Sequence, residues 1–205
     1  MGSRRKISAV LADFDSEVNR LKKLDVRNQR EFASNKAQLH LGTEAVYFRL
    51  FRAFENYLED VFVLYVMQAR SIRGKTYASY LRPKNYAHAR ELLRSGKPFL
   101  DWANPEVVIE RSEIYIQSGG PIKATLSSVT NDLLDMKAIR NHIAHNSEES
   151  RSTFHRRVRR TRGTLPPARY SPAEHLLAQN GSSGVYFLEY YMQRLSNVAD
   201  LIAER

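Results

Sequence analysis

The stretch LSSVTNDLLDMKAIRNHIAH, Leu126 to His145, decides how this chain reads. Its apolar residues fall at Leu126, Val129, Leu133, Met136 and Ile143, the three-and-four spacing of a helix that lays one stripe on a core. Counting on from Met136 reaches Arg140, a guanidinium on a core-facing stripe, where an unpaired charge costs far more than local packing contributes. Asn141 and His145 are four apart and lie one above the other, on a second stripe that runs back through Ala138 and Leu134. The first stripe faces its own bundle. The second, small and apolar before it turns polar, suits a partner chain.

A mate for Arg140 stands far upstream. Phe48, Phe51, Leu58, Phe62 and Tyr65 form another helical stripe, and Glu55 occupies the gap between Phe51 and Leu58. The expectation is that Glu55 and Arg140 meet inside one bundle, which neutralises both and fixes the guanidinium in one orientation. A plain structural ion pair worth little net stability is the other reading.

Arg140, Asn141 and His145 spell R-N-x-x-x-H, which resembles the signature of the HEPN superfamily (higher eukaryotes and prokaryotes nucleotide-binding), small all-helical domains many of which are ribonucleases. Ala53-Phe54-Glu55-Asn56-Tyr57-Leu58-Glu59-Asp60 looks like the long early helix of that superfamily, and Ser171-Pro172-Ala173-Glu174-His175-Leu176-Leu177 before a terminal helix is similar to its RiboL-PSP-HEPN branch. The resemblance covers roughly residues 35 to 205. It implies an all-α bundle, a paired active site in a homodimer, and a role as a prokaryotic toxin or antiphage defence protein controlled by an antitoxin or companion protein.

Composition sets the outer bounds. With 205 residues, 42% hydrophobic, 9 Gly and 7 Pro, the chain supports one substantial core, so a single domain over 1–205 is expected. No cysteine is present, which removes disulfides, thiolate metal sites and a thiol nucleophile, and suits a reducing cytoplasm. The basic start is followed by an apolar run that stops at Asp13, too short for an export signal, so a cytoplasmic location is expected. Val61 to Met67 is the longest apolar run, far short of the roughly 20 residues that span a bilayer. No membrane partner is expected. The net charge of +10 favours a polyanion, and half of it lies between Ser147 and Tyr170, where seven arginines face two glutamates.

In chain order, residues 4 to about 33 form an amphipathic first helix within a 1–34 N-terminal region, and about Asn35 to Ser71 the longest and most buried helix. A short helix follows near Tyr86 to Ser95, then one capped by Asn104 with Pro105 in its first turn, through about Gln117. The motif helix ends near Asn146. The basic, Pro-containing connection 147–180 is helical at most over 148–163, and Pro166, Pro167 and Pro172 keep the backbone extended or turned up to His175. Gly181 to Gly184 is a loop, and a last helix covers about Val185 to Glu204. No strand pattern or repeat is evident.

RNA carries its own nucleophile, the 2′-hydroxyl, so cleavage needs a base for that proton, an acid for the leaving oxygen and positive charge on the phosphorane, with no metal or other cofactor. His145 suits the proton work, Arg140 the phosphate, and Asn141 the orientation of either. One chain offers one such histidine. A two-fold dimer joining the Asn141 and His145 stripes supplies the second. The expectation is a metal-independent endoribonuclease leaving a 2′,3′-cyclic phosphate. His142 is expected to point to solvent or touch RNA, with a metal site shared by His142, His145 and Asp135 as the lesser alternative. Arg151, Arg156, Arg157, Arg159, Arg160 and Arg162 are expected to contact RNA, with Phe154 and Tyr170 as stacking faces, unless the run is merely a solvated loop. The alternatives are a HEPN-type sensor or adaptor that binds RNA or nucleotide without cutting, and an all-α interaction protein for DNA or an acidic partner.

Overall fold

A computed structural model describes residues 5–96, 100–164, 166–181 and 183–205. Among these the chain is all-α, with eight helices and no strand beyond the isolated bridges Ser79 to Ile116 and Gln179 to Tyr186. The helices are α1 Ile7–Glu31, α2 Lys36–Val66, α3 Tyr86–Arg94, α4 Pro105–Tyr115, α5 Gly120–His145, α6 Glu148–Arg162, α7 Pro172–Leu176 and α8 Phe187–Glu204. None of the described helices is long and apolar enough to cross a membrane. Contacts group the residues into two compact units, and α1, α2, α5 and α8 each supply residues to both.

The first unit takes residues up to Asp15, Phe54–Thr130 and Ser196–Arg205. Its centre is the second half of α2, where Val61 to Val66 are all buried, as the apolar run in the sequence requires. Phe14 of α1 packs on Phe54 and Tyr57 at 6.0 and 5.3 Å between ring centroids. The buried tyrosines need acceptors, and the Tyr57 and Tyr65 hydroxyls donate to the carbonyls of Ala199 and Ile202 at 2.7 and 2.6 Å. Glu55 lies in this packing at 4% exposure. Helix α2 stops five residues before Ser71. No Gly or Pro stops it: Gln68 turns into the left-handed region at φ 58°, and the N–H of Ala69 closes back on the Leu64 carbonyl at 2.9 Å. Asn104 caps α4 as the sequence indicates, and Asn85 caps α3.

The second unit takes Ser16–Ala53 and Asn131–Leu195. Here α1 and α2 approach closely enough that a Cβ on Gly42 would sit 2.0 Å from Asn28 Oδ1. Asn28 is buried, and its amide donates to the Leu39 carbonyl and Thr43 Oγ1 at 3.0 and 3.3 Å. The Tyr47 hydroxyl donates to the Met136 carbonyl at 2.9 Å, tying α2 to α5. The expectation of extended or turned backbone up to His175 fails from Pro172 onward, where α7 begins. Pro172 occupies the first turn of α7, where a missing N–H costs nothing, and Ser171 and Glu174 form a reciprocal capping box. His175 is fully buried, stacked on Phe187 at 4.2 Å and hydrogen-bonded through Nε2 to the Tyr191 hydroxyl at 2.9 Å.

Candidate nucleic-acid interface

Helix α5 ends where the sequence reading puts it. Asn146 enters the left-handed region at φ 44°, its N–H closing on the His142 carbonyl at 3.0 Å. Short polar side chains tolerate that conformation best. Arg140 and Asn141 are half-buried, and Ala144 and His145 are exposed on the last turn. The Arg140 guanidinium lies over the Phe48 ring, 5.5 Å from its centroid, and donates to Asn141 Oδ1 at 3.1 Å. With its oxygen so used, the Asn141 amide is left with N–H donors to present. On the second stripe Ala138 is 4% exposed and buried within this chain, so the surface that can meet a partner contracts to Leu134, Asn141 and His145.

His142 is a correction. It does not point to solvent: it is 6% exposed, stacked on Phe154 at 5.3 Å. Its Nδ1 lies 3.0 Å from Ser150 Oγ, which closes the capping box of α6 with Ser147. The single hydroxyl proton of Ser150 goes to the Ser147 carbonyl at 2.8 Å, so Ser150 accepts from the Ser147 N–H and from His142 Nδ1–H. That fixes the neutral tautomer, with Nε2 the acceptor. Burial first, then Arg151 and His155, hold His142 below the ordinary imidazole value against a weaker pull from Glu148.

The basic segment is a helix over Glu148–Arg162, within the 148–163 that the sequence allows. Two of its arginines are paired within the chain: Arg160, whose side chain is still 46% exposed, and Arg157 both pair with Asp135, which is 3% exposed on α5, and Arg157 does so at 3.5 Å. Arg160 also reaches Asp132 at 3.8 Å, and Asp132 takes Arg194 at 2.7 Å. Phe154 offers no stacking face, being fully buried. Tyr170 is half-buried, with Phe154 6.4 Å and the Arg162 guanidinium 4.8 Å from its ring, and its hydroxyl accepts from Arg162 at 2.5 Å. Arg151, Arg156, Arg159 and Arg162 are exposed. Among the described residues no three His, Asp or Glu side chains gather as metal ligands, and Asp135 is held by its arginines.

Beside the motif a cavity of about 510 Å³ opens among Glu44, His142, Ile143, Asn146, Arg151, Ala168, Arg169, Tyr170, Ser171 and Pro172. Arg140, Asn141 and His145 do not line it. Successive helix positions turn by about 100°, so the cavity occupies the stripe next to theirs on the same helix end. Glu44 Oε1 accepts from the N–H of Ala173 at 3.1 Å, and burial raises its carboxyl against that bond and the pull of His40. The sequence reading missed Glu44, Asn146 and Ser150 as members of a site. Ser147 and Ser171, each followed three residues on by a side chain that closes a capping box, were the local signals that the segment is built and not loose. The chain matches no protein-family model, and comparison with curated proteins and with solved structures gives no match.

Proposed function

We propose that this chain is a metal-independent endoribonuclease that acts as a homodimer, in the role of a prokaryotic toxin or antiphage defence protein held in check by a companion protein. One observation carries the reading: a half-buried guanidinium steadied by Phe48 and Asn141 is followed five residues later by an exposed histidine at the end of the same helix. In this reading Arg140 and the Asn141 amide bind the non-bridging oxygens of the scissile phosphate. The neutral imidazole of His145 takes the proton of the 2′-hydroxyl, whose oxygen attacks phosphorus. The P–O5′ bond breaks, the 5′-oxygen receives its proton from the imidazolium of the second subunit, and a 2′,3′-cyclic phosphate remains.

The test is cleavage of single-stranded RNA by wild type and His145→Ala, with and without EDTA, beside the mass of the protein in solution. Cyclic phosphate ends, indifference to EDTA, a dimeric mass and loss of cleavage in the variant support the reading. Undiminished cleavage by His145→Ala would overturn it. In a bacterial host, induced wild type should arrest growth where His145→Ala does not.

A second reading, an RNA- or nucleotide-binding sensor or adaptor that does not cut, is favoured by the cavity, which is lined by Arg151 and Arg169 but by none of the three motif residues. Binding of RNA by wild type and His145→Ala alike, with no cleavage by either, supports it.

A further inference from the structure

The cavity of the second unit is neither an apolar hole nor a general basic patch. Its volume of about 510 Å³ falls within the roughly 300–1,000 Å³ of small-molecule sites. Its lining sets two guanidiniums, Arg151 and Arg169, beside two acceptors, the Glu44 carboxylate and His142. With Nδ1–H of His142 given to Ser150, the neutral ring has its lone pair at Nε2. A phosphate alone would bring no donor to either acceptor beyond the Ala173 N–H that Glu44 already holds, and the carboxylate would repel it. A ligand suited to this lining carries a negative group for the arginines and N–H donors for the acceptors, and a nucleoside monophosphate has both. Among the four RNA bases, guanine alone puts two donors side by side on its pairing edge, N1–H and the 2-amino group, which match the two oxygens of one carboxylate. Ile143 and Pro172 supply apolar wall for the ring.

We propose that this cavity is a guanine subsite, in which Glu44 reads the base and Arg151 and Arg169 hold its phosphate, and that the guanine belongs to the RNA beside the cleaved bond. Only the last clause rests on the ribonuclease reading. The adjacency comes from the helix: Asn141 and His145 occupy one stripe, His142 and Asn146 the next.

The experiment titrates the full chain by calorimetry with GMP, AMP, CMP and UMP, and maps the RNA ends that the same preparations produce. GMP should bind at least tenfold more tightly than the other three. Glu44→Gln keeps an oxygen for the Ala173 N–H while removing the paired acceptors, so it should abolish that preference. Arg169→Ala should weaken all four nucleotides by a similar factor. Cleavage junctions should carry guanine on one side, and Glu44→Gln should lose that enrichment. Equal affinities for the four nucleotides, no binding at millimolar concentration, or an undiminished preference in Glu44→Gln would overturn the subsite. Selective GMP binding by a protein that cuts no RNA would sustain the subsite and sink the nuclease. Cutting without base preference, together with unselective binding, would do the reverse.

Discussion

Arg160 and Asp135 are joined side by side: the guanidinium of Arg160, on α6, meets both carboxylate oxygens of Asp135, on α5. Asp135 has 4% of its side chain exposed and Arg160 46%, so the pair is asymmetric. Desolvation is the largest influence on Asp135 and raises its carboxyl, against the lowering effect of Arg160 and Arg157. Removing both arginines strands a buried carboxylate, a loss on the order of 3 kcal/mol, whereas an arginine freed by loss of the aspartate can turn to water. Arg157→Ala with Arg160→Ala should therefore cost more stability than Asp135→Asn, as read from urea midpoints. The opposite order would show that the pair is not the fastening of α6.

The same asymmetry separates binding from folding among the arginines. Arg156 and Arg159 are exposed on α6. Replacing both by alanine should leave the melting temperature within about 2 °C, since surface changes stay within about 0.5 kcal/mol. It should lower the salt slope of single-stranded RNA binding by about 1.4, two contacts at roughly 0.7 each. An unchanged slope would remove this face of α6 from the interface.

The two histidines of the motif helix should part company in stability. His145 is exposed, so His145→Ala should melt with the wild type. His142 is buried against Phe154 and bonded to Ser150, so His142→Ala should cost on the order of 2–3 kcal/mol, from a cavity and a lost hydrogen bond. A His142→Ala protein as stable as His145→Ala would contradict the packing of His142 on Phe154 and Ser150.

His175 sets a pH limit. Burial first, with Arg162 adding to it, pulls its imidazole down to about 3. The folded state keeps this group neutral while the unfolded chain protonates near 6.5, so stability is lost as pH falls from about 6.5 toward 3, at about 1.4 kcal/mol per unit. His142 is shifted in the same direction and adds to the loss. At pH 4.5 the His175 contribution should be a loss on the order of 3 kcal/mol. His175→Gln should flatten the slope of unfolding free energy against pH by about one proton over this window. An equal slope in wild type and variant would remove His175 from the acid transition.

Gly42 gives a test of the approach between α1 and α2. Within an ordinary helix Gly→Ala gains about 1 kcal/mol. Here the added carbon would displace the Asn28 amide from Leu39 and Thr43, so Gly42→Ala should lower the urea midpoint. A raised midpoint would mean that the two helices yield without cost.

Much of the helical order is local chemistry and was written along the chain. The stripe Ile7, Val10, Phe14, Val18 and Leu21 is buried along α1, and Asn104 with Pro105 and the end of α5 at Asn146 stand where capping and periodicity put them. The exposure of His145 at the end of an otherwise packed helix was legible for the same reason, because position on a helix face follows from counting. The sequence could not say where α2 ends, since Gln68 carries no mark of the left-handed turn it makes. Nor could counting along α5 place His142: its burial depends on α6 folding back to bring Ser150 and Phe154 against it, over a separation set by the turn at Asn146. Charge was the least legible property. Seven arginines in a row of 24 residues read as one basic surface, but an arginine is committed to an aspartate or left to water by the neighbour that tertiary packing supplies. Asp135 claims Arg157 and Arg160, while Arg156 and Arg159, one position away from each, face outward.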